Sequence, residues 1–309
     1  MTIRARVLRV TLGVLLALAS PGAQRGDTAG PTTAAERQAS WAHHQEITRT
    51  SVFAPLPWRA IGPAFQGGRV EAIALARPGS DTIYLGAGSG SLWKTDNAGT
   101  TWTPVFEHEP TFSIGDVAVA PSNPDVVWAG TGEVLMARSS FAGAGVFKST
   151  DAGKTWRNMG LADTHHIGKV VIDPRDPDTV YVAAIGHLFS DNEERGLFKT
   201  TDGGETWQKI LYVDPRTGVI DLVMHPRDHR TLFAVAWEHD RRAWNHTAAG
   251  PGSGVYRTRD GGRTWTRLAG GLPAGEHLGR VGLAIAPSKP DVMYAIVDNQ
   301  TPVAPGPAK

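Results

Sequence analysis

A nine-residue motif recurs four times along this chain, and its spacing constrains the fold more than any other feature. The copies run from Lys94 to Trp102, Lys148 to Trp156, Lys199 to Trp207 and Arg257 to Trp265. Their tryptophans fall 54, 51 and 58 residues apart. A period of that size, with one hairpin-like motif in each repeat, marks an array of small β-sheets.

Each repeat carries further landmarks. Proline turns occur at Pro121 to Asp125, Pro174 to Asp178, Pro226 to Arg230 and Pro287 to Asp291. Short runs rich in β-branched and aromatic residues flank every turn, as buried strands do. A Gly-apolar-aromatic-Lys/Arg strand follows at Gly145, Gly196 and Gly254, then the motif, then a fourth strand beginning at its Trp. Four antiparallel strands in about fifty residues make a propeller blade. The expected fold is therefore all-β, an incomplete β-propeller of about four to five blades spanning 53–299.

The motif itself reads as a turn. Asp151, Asp202 and Asp260 are placed to accept hydrogen bonds from N–H groups of their own hairpin. Asn97 stands at that position in the first copy and can make the same turn. Gly99, Gly153, Gly204 and Gly262 suit positive φ. Trp102, Trp156, Trp207 and Trp265 supply apolar area for packing under the blade. A catalytic carboxylate is needed once, at one site. One repeated in every blade is a structural part.

This pattern, Ser/Thr-x-Asp-x-Gly-x-Thr-Trp, resembles the Asp-box or BNR repeat of sialidases, xyloglucan-active glycosidases, the sortilin receptors and many exported bacterial proteins. The segments 58–63, 67–70, 130–133, 163–168, 192–196 and 250–254 make the chain look most similar to the exported bacterial group, often labelled glycosyl hydrolase-like or sortilin-like. The resemblance covers about residues 55–298. It implies a propeller and leaves the activity open, because such folds host unrelated functions.

The amino terminus reads as a targeting segment. Arg4, Arg6 and Arg9 precede an apolar run from Val10 to Ala19, and cleavage is expected after Ala19 or Ala23. Residues 1–23 are thus a signal peptide, and the chain is expected to be exported to the periplasm or outside the cell. With no cysteine, neither a lipid anchor on Cys nor a disulfide is available. Residues 24–52 read as a flexible linker and 300–309 as a disordered tail. The net charge of +1 gives no electrostatic case for nucleic acid or a membrane surface. No cofactor is expected.

A fifth repeat begins at Arg280 and lacks its third strand and motif. One reading closes a five-bladed ring with a strand from Trp58 to Ile61. The preferred reading is the N-terminal portion of a longer protein, with further blades or a second domain downstream.

Function is expected on the face opposite the Asp-boxes, where the loops joining second to third strands break the repeat. The candidate ligand-binding residues are Glu133, His187, Glu193, Arg195, Glu238, Arg242 and Trp244. The arginines suit a carboxylate, Trp244 a sugar ring or a proline, and the glutamates an acid–base pair for glycoside hydrolysis. Catalytic residues are not identifiable. His165 and His166 invite a metal reading. Neighbouring side chains diverge, and no ligand spacing accompanies them, so no metal is expected. A sialidase would need a nucleophilic Tyr. Tyr84, Tyr181, Tyr294 and Tyr256 occupy repeated core slots, and only Tyr212 approaches the channel. An exported scaffold binding a peptide or glycan is favoured, with a glycoside hydrolase, or the propeller part of one, as the alternative.

Overall fold

The structure is a computed structural model that describes residues 32–56, 68–137, 139–273 and 275–303. The leader at 1–23, the Trp58 to Ile61 strand and the end of the tail lie outside the described residues. Two compact units divide the chain, residues 1–47 and 48–309. Regular structure occurs within the expected linker 24–52. Ala34–Thr50 is an α-helix with no buried residue. Ala, Glu, Gln and Arg favour a helix even without a core to pack on. Thr33 and Glu36 form a capping box: the Glu36 N–H donates to Thr33 Oγ1 at 3.2 Å, and the Thr33 N–H to Glu36 Oε2 at 2.7 Å. The described helices include none long and apolar enough to cross a membrane.

The second unit is built of blades. Four sheets each hold four antiparallel strands in sequence order. Blade 1 is Val70–Leu75, Ile83–Ala87, Ser91–Thr95 and Thr103–Pro104. Blade 2 is Ile114–Ala120, Asn123–Thr131, Val146–Ser149 and Arg157–Asn158. Blade 3 is Ile167–Asp173, Asp176–Ala184, Gly196–Thr200 and Gln208–Leu211. Blade 4 is Thr217–His225, Asp228–Glu238, Gly254–Thr258 and Thr266–Arg267. A fifth sheet pairs Leu278–Ile285 with Met293–Asn299. These are the strands the repeats predict.

The Asp-boxes are turn braces, as expected. In blade 3, Asp202 accepts the Thr206 N–H at 3.0 Å, while Thr200 Oγ1 accepts the Gly204 N–H at 3.0 Å. The same bonds form around Asp151 and Asp260. Asn97 substitutes for them by accepting the Thr101 N–H at 2.9 Å. The box glycines sit at φ 85–98°, a left-handed conformation that a Cβ disfavours.

The second, third and fourth boxes also lock two blades together, which single-blade reasoning does not foresee. Trp156 donates through Nε1 to Val105 O of blade 1, and Trp207 to Met159 O of blade 2, both at 2.7 Å. An aromatic on each second strand receives the next box. Tyr84 donates to Ala152 O at 2.9 Å, Trp128 lies beneath Gly204, and Tyr181 faces Gly261. A lysine directly across the strand pair covers each ring: Lys94 on Tyr84, Lys148 on Trp128 and Lys199 on Tyr181. Lys148 and Lys199 then donate to the next box at Gly203 O and Gly261 O. Nearer the axis, Asp116 and Asp221 accept the N–H groups of Val170 and Leu283 on the following blade.

Tyr294 occupies the same second-strand slot and is expected to be core, but it is 67% exposed. Among the described residues no further box follows to cover it.

These braces have a pH signature. Hydrogen bonds from Thr155 hold the Asp151 carboxyl down at about 2. A depressed carboxyl contributes stability above its unfolded value near 3.9, and the contribution disappears as pH falls through the folded value. The thermal midpoint of Asp151→Ala should therefore lie below wild type at neutral pH. That gap should close between about pH 4 and pH 2. A gap independent of pH would contradict the assignment.

Candidate functional site

Opposite the boxes, the loops from second to third strands and from blade to blade share one face. Here the sequence-predicted residues separate into two groups. Arg195 and Glu133 are buried and engaged within the fold, and half-buried Glu238 braces a turn. Arg195 is 1% exposed, and its guanidinium is fully engaged. Nε donates to Asn192 Oδ1, Nη1 to the carbonyls of Ile185 and Arg216, and Nη2 to those of His187 and Ser190, all between 2.8 and 3.2 Å. It holds the blade 3 insertion in shape. Burial brings its pKa down to about 10.

Glu133 is fully buried and pairs with the Arg69 guanidinium of blade 1. Its loop carries Val134 and Met136 into an apolar cluster with Ile220 and Trp237 of blade 4 and Val281 of the fifth sheet. Arg280 fastens that loop by donating to Val134 O at 3.2 Å. The blade 2 insertion is thus packing as much as rim. Glu238 accepts the Gly252 N–H at 2.9 Å and braces the 250–253 turn. A Cβ on Gly250 would stand 2.1 Å from its carboxylate, which explains the glycine there.

His187, Glu193, Arg242 and Trp244 do face outward or line the rim. Arg242 joins two insertions: it donates to Phe189 O of blade 3 at 3.1 Å and pairs with Asp240 at 3.0 Å and Asp191 at 3.5 Å. Trp244 is 85% exposed at the tip of the small hairpin Asp240–Arg241 and His246–Thr247. Glu193 is exposed beside Tyr212, whose pKa is raised to about 12 by desolvation and by this carboxylate. Lys209 lies 4.8 Å over the Tyr212 ring.

Around these residues the face displays aromatics that the sequence reading passed over. Phe112, Phe141 and Phe189 join Tyr212 and Trp244 as exposed rings. Phe112 and Phe141 meet edge to face at 5.0 Å. The signal was in the sequence: each lies in a segment that breaks the repeat. Large apolar side chains are also exposed on the first and fifth sheets, at Val70, Ile73, Leu75, Tyr294 and Ile296. The box face holds an apolar recess of about 360 Å³ rimmed by the repeat prolines Pro121, Pro174, Pro226 and Pro287.

His165 and His166 diverge as expected. His166 turns inward, with Nδ1 2.9 Å from Glu133 O, and burial holds its pKa near 3. His165 turns the other way and stacks on His187, ring centroids 3.7 Å apart, beside Asp163. The expectation of no metal-ligand set overlooked this group, because His187 is brought to His165 by the fold and not by sequence spacing.

Comparisons with known proteins agree with this architecture. The family described as Sortilin-Vps10 (sortilin, neurotensin receptor 3) matches residues 144–290. A xyloglucanase of Paenibacillus sp is 24% identical over 255 residues, 75% of this chain and 24% of that protein. The xyloglucanase Xgh74A of Acetivibrio thermocellus is 24% identical over 245 residues, 70% of this chain and 27% of its own. The chain therefore spans about a quarter of the length of these relatives. The crystal structure of an ancestral GH74 enzyme superposes with a TM-score of 0.54 at 24% identity, over 72% of this chain and 28% of that one. At that identity the likeness establishes the propeller-type fold alone.

Proposed function

We propose that this chain, an Asp-box β-propeller repeat protein of the sortilin-like and glycosyl hydrolase-like kind, binds a carbohydrate on the face opposite its Asp-boxes. The observation that carries this reading is the presence of five exposed rings, Phe112, Phe141, Phe189, Tyr212 and Trp244, in the loops of that face. Flat, exposed rings have a hydration cost that stacking against a sugar's C–H face relieves. Arg242 and Glu193 supply hydrogen bonds to hydroxyl groups beside Trp244 and Tyr212. The leader at 1–23 would put the chain where polysaccharides are met. An intact Met1 in the mass of exported protein would remove that part of the proposal.

The second reading is glycoside hydrolysis, favoured by relatives that are xyloglucanases. It needs two carboxylates at a set separation. Buried Glu133 already pairs with Arg69 and Glu238 braces the 250–253 turn, leaving Glu193 as the exposed candidate.

Affinity electrophoresis in gels containing xyloglucan, other plant glucans or bacterial glycans distinguishes these readings. Retardation by at least one polysaccharide is expected, and Trp244→Ala should weaken it roughly tenfold, about 1.4 kcal/mol. Free migration in every gel, or undiminished retardation of Trp244→Ala, would contradict the proposal. Release of reducing sugar by the wild type would move the conclusion to hydrolysis.

A further inference from the structure

We infer that Asp163, His165 and His187 form a binding site for a divalent transition-metal ion, zinc by its coordination chemistry. Asp163 Oδ1 lies 3.8 Å from His165 Nε2 and 3.6 Å from His187 Nε2. One ligand atom from each residue falls within 4.8 Å of the other two. Zinc bound tetrahedrally at about 2.0–2.2 Å sets its ligand atoms roughly 3.3–3.5 Å apart. The two Asp–His separations need only a few tenths of an ångström of contraction around an ion, while the two imidazoles, stacked at 3.7 Å with 20° between their planes, must turn out of the stack for both Nε2 lone pairs to meet it. Two imidazoles and a carboxylate are a donor set that suits zinc, and three protein ligands leave a fourth position for water or a bound molecule.

The surroundings are those of a prepared site. His187 Nδ1 lies 2.8 Å from Ser190 Oγ, which fixes the ring and turns Nε2 toward Asp163 and His165. That Nε2 is buried and faces the Asp163 carboxylate at 3.6 Å, longer than a hydrogen bond. A buried unpaired ring nitrogen is costly unless something binds it. The backbones are held as well. Asn192 Nδ2 donates to Asp163 O at 3.2 Å, and Asn192 is itself gripped by Arg195. The Gly143 N–H donates to His165 O at 2.6 Å. His165 adopts φ 55° and ψ −44°, an uncommon conformation for a residue with a Cβ. A Cβ on Gly132 would stand 1.9 Å from His165 O, so the blade 2 backbone closes directly over this turn.

A metal here would tie the loop between blades 2 and 3 to the blade 3 insertion that carries Phe189. The site does not depend on the carbohydrate proposal, because none of its ligands is an exposed aromatic.

The test uses the whole chain, purified without a polyhistidine tag and stripped of metal. Zinc is titrated against a chromophoric chelator, and cobalt(II) is added separately to read geometry by visible absorption. One zinc per chain is expected, with the intense absorption of four-coordinate cobalt. His165→Ala, His187→Ala and Asp163→Asn should each weaken zinc binding by at least about tenfold. Asp163→Asn keeps the carbonyl that Asn192 uses, so its loss of affinity is not a loss of fold, and circular dichroism verifies this. No bound zinc in the wild type, or one zinc retained by the folded His165→Ala/His187→Ala double variant, would overturn the inference.

Discussion

Trp128→Ala is expected to destabilise the propeller by about 3–5 kcal/mol. The ring is fully buried on the second strand of blade 2, within a cluster that contains Met159, Val170 and Val182 from two blades. It meets Trp207 edge to face at 6.0 Å and carries Lys148 over its own face at 5.4 Å. Removing it leaves a cavity at the joint where the blade 3 box is seated, and the neighbours on both sides belong to rigid strands that cannot collapse into it. Chemical denaturation followed by tryptophan fluorescence measures the loss. Trp128→Phe should recover part of it, since the aromatic–lysine contact survives. A loss below about 1 kcal/mol would mean that blade contact does not run through these slots.

The second large effect is expected at Arg195. Its truncation to Ala leaves four buried or half-buried carbonyls and the Asn192 side chain without their donor. Each unsatisfied group costs about 1–3 kcal/mol, and they share one cavity, so the sum is not additive. A total of about 3–5 kcal/mol is expected. Lysine cannot substitute, because a single ammonium lacks the planar fork that reaches five acceptors. Hydrogen exchange should report opening of residues 185–195 in both variants, ahead of global unfolding. Wild-type stability in Arg195→Ala would return this residue to the list of surface groups able to meet a ligand.

The repeat was legible because its signals are local. A box turn is closed by Ser or Thr, Asp, Gly and Thr within seven residues, so spacing alone announces each hairpin. What the box does across the blade boundary was not legible. Trp207 bonding to Met159 O joins residues 48 apart, and nothing in either segment names the other. Arg195 illustrates the same gap. A charged residue in an insertion reads as exposed, but five acceptors from its own loop and the next converge on it only after folding. The helix Ala34–Thr50 was missed for the opposite reason: its evidence was local, in the Thr33–Glu36 cap, and low hydrophobicity outweighed it. The exposure of Trp244 was legible because a lone large aromatic in a polar insertion stands out. Asp163, His165 and His187 were separable only by chain geometry.

The central claim is that the loop face is the functional surface and the box face is structural. Hydrogen exchange measured with and without the polysaccharide retained most strongly in electrophoresis tests it most directly. Protection is expected at 187–194, 210–213, 240–247 and 139–143, with the box hairpins at 150–156 and 201–207 unchanged. Protection confined to the box hairpins or to the proline-rimmed recess, with the loop segments unaffected, would contradict the account.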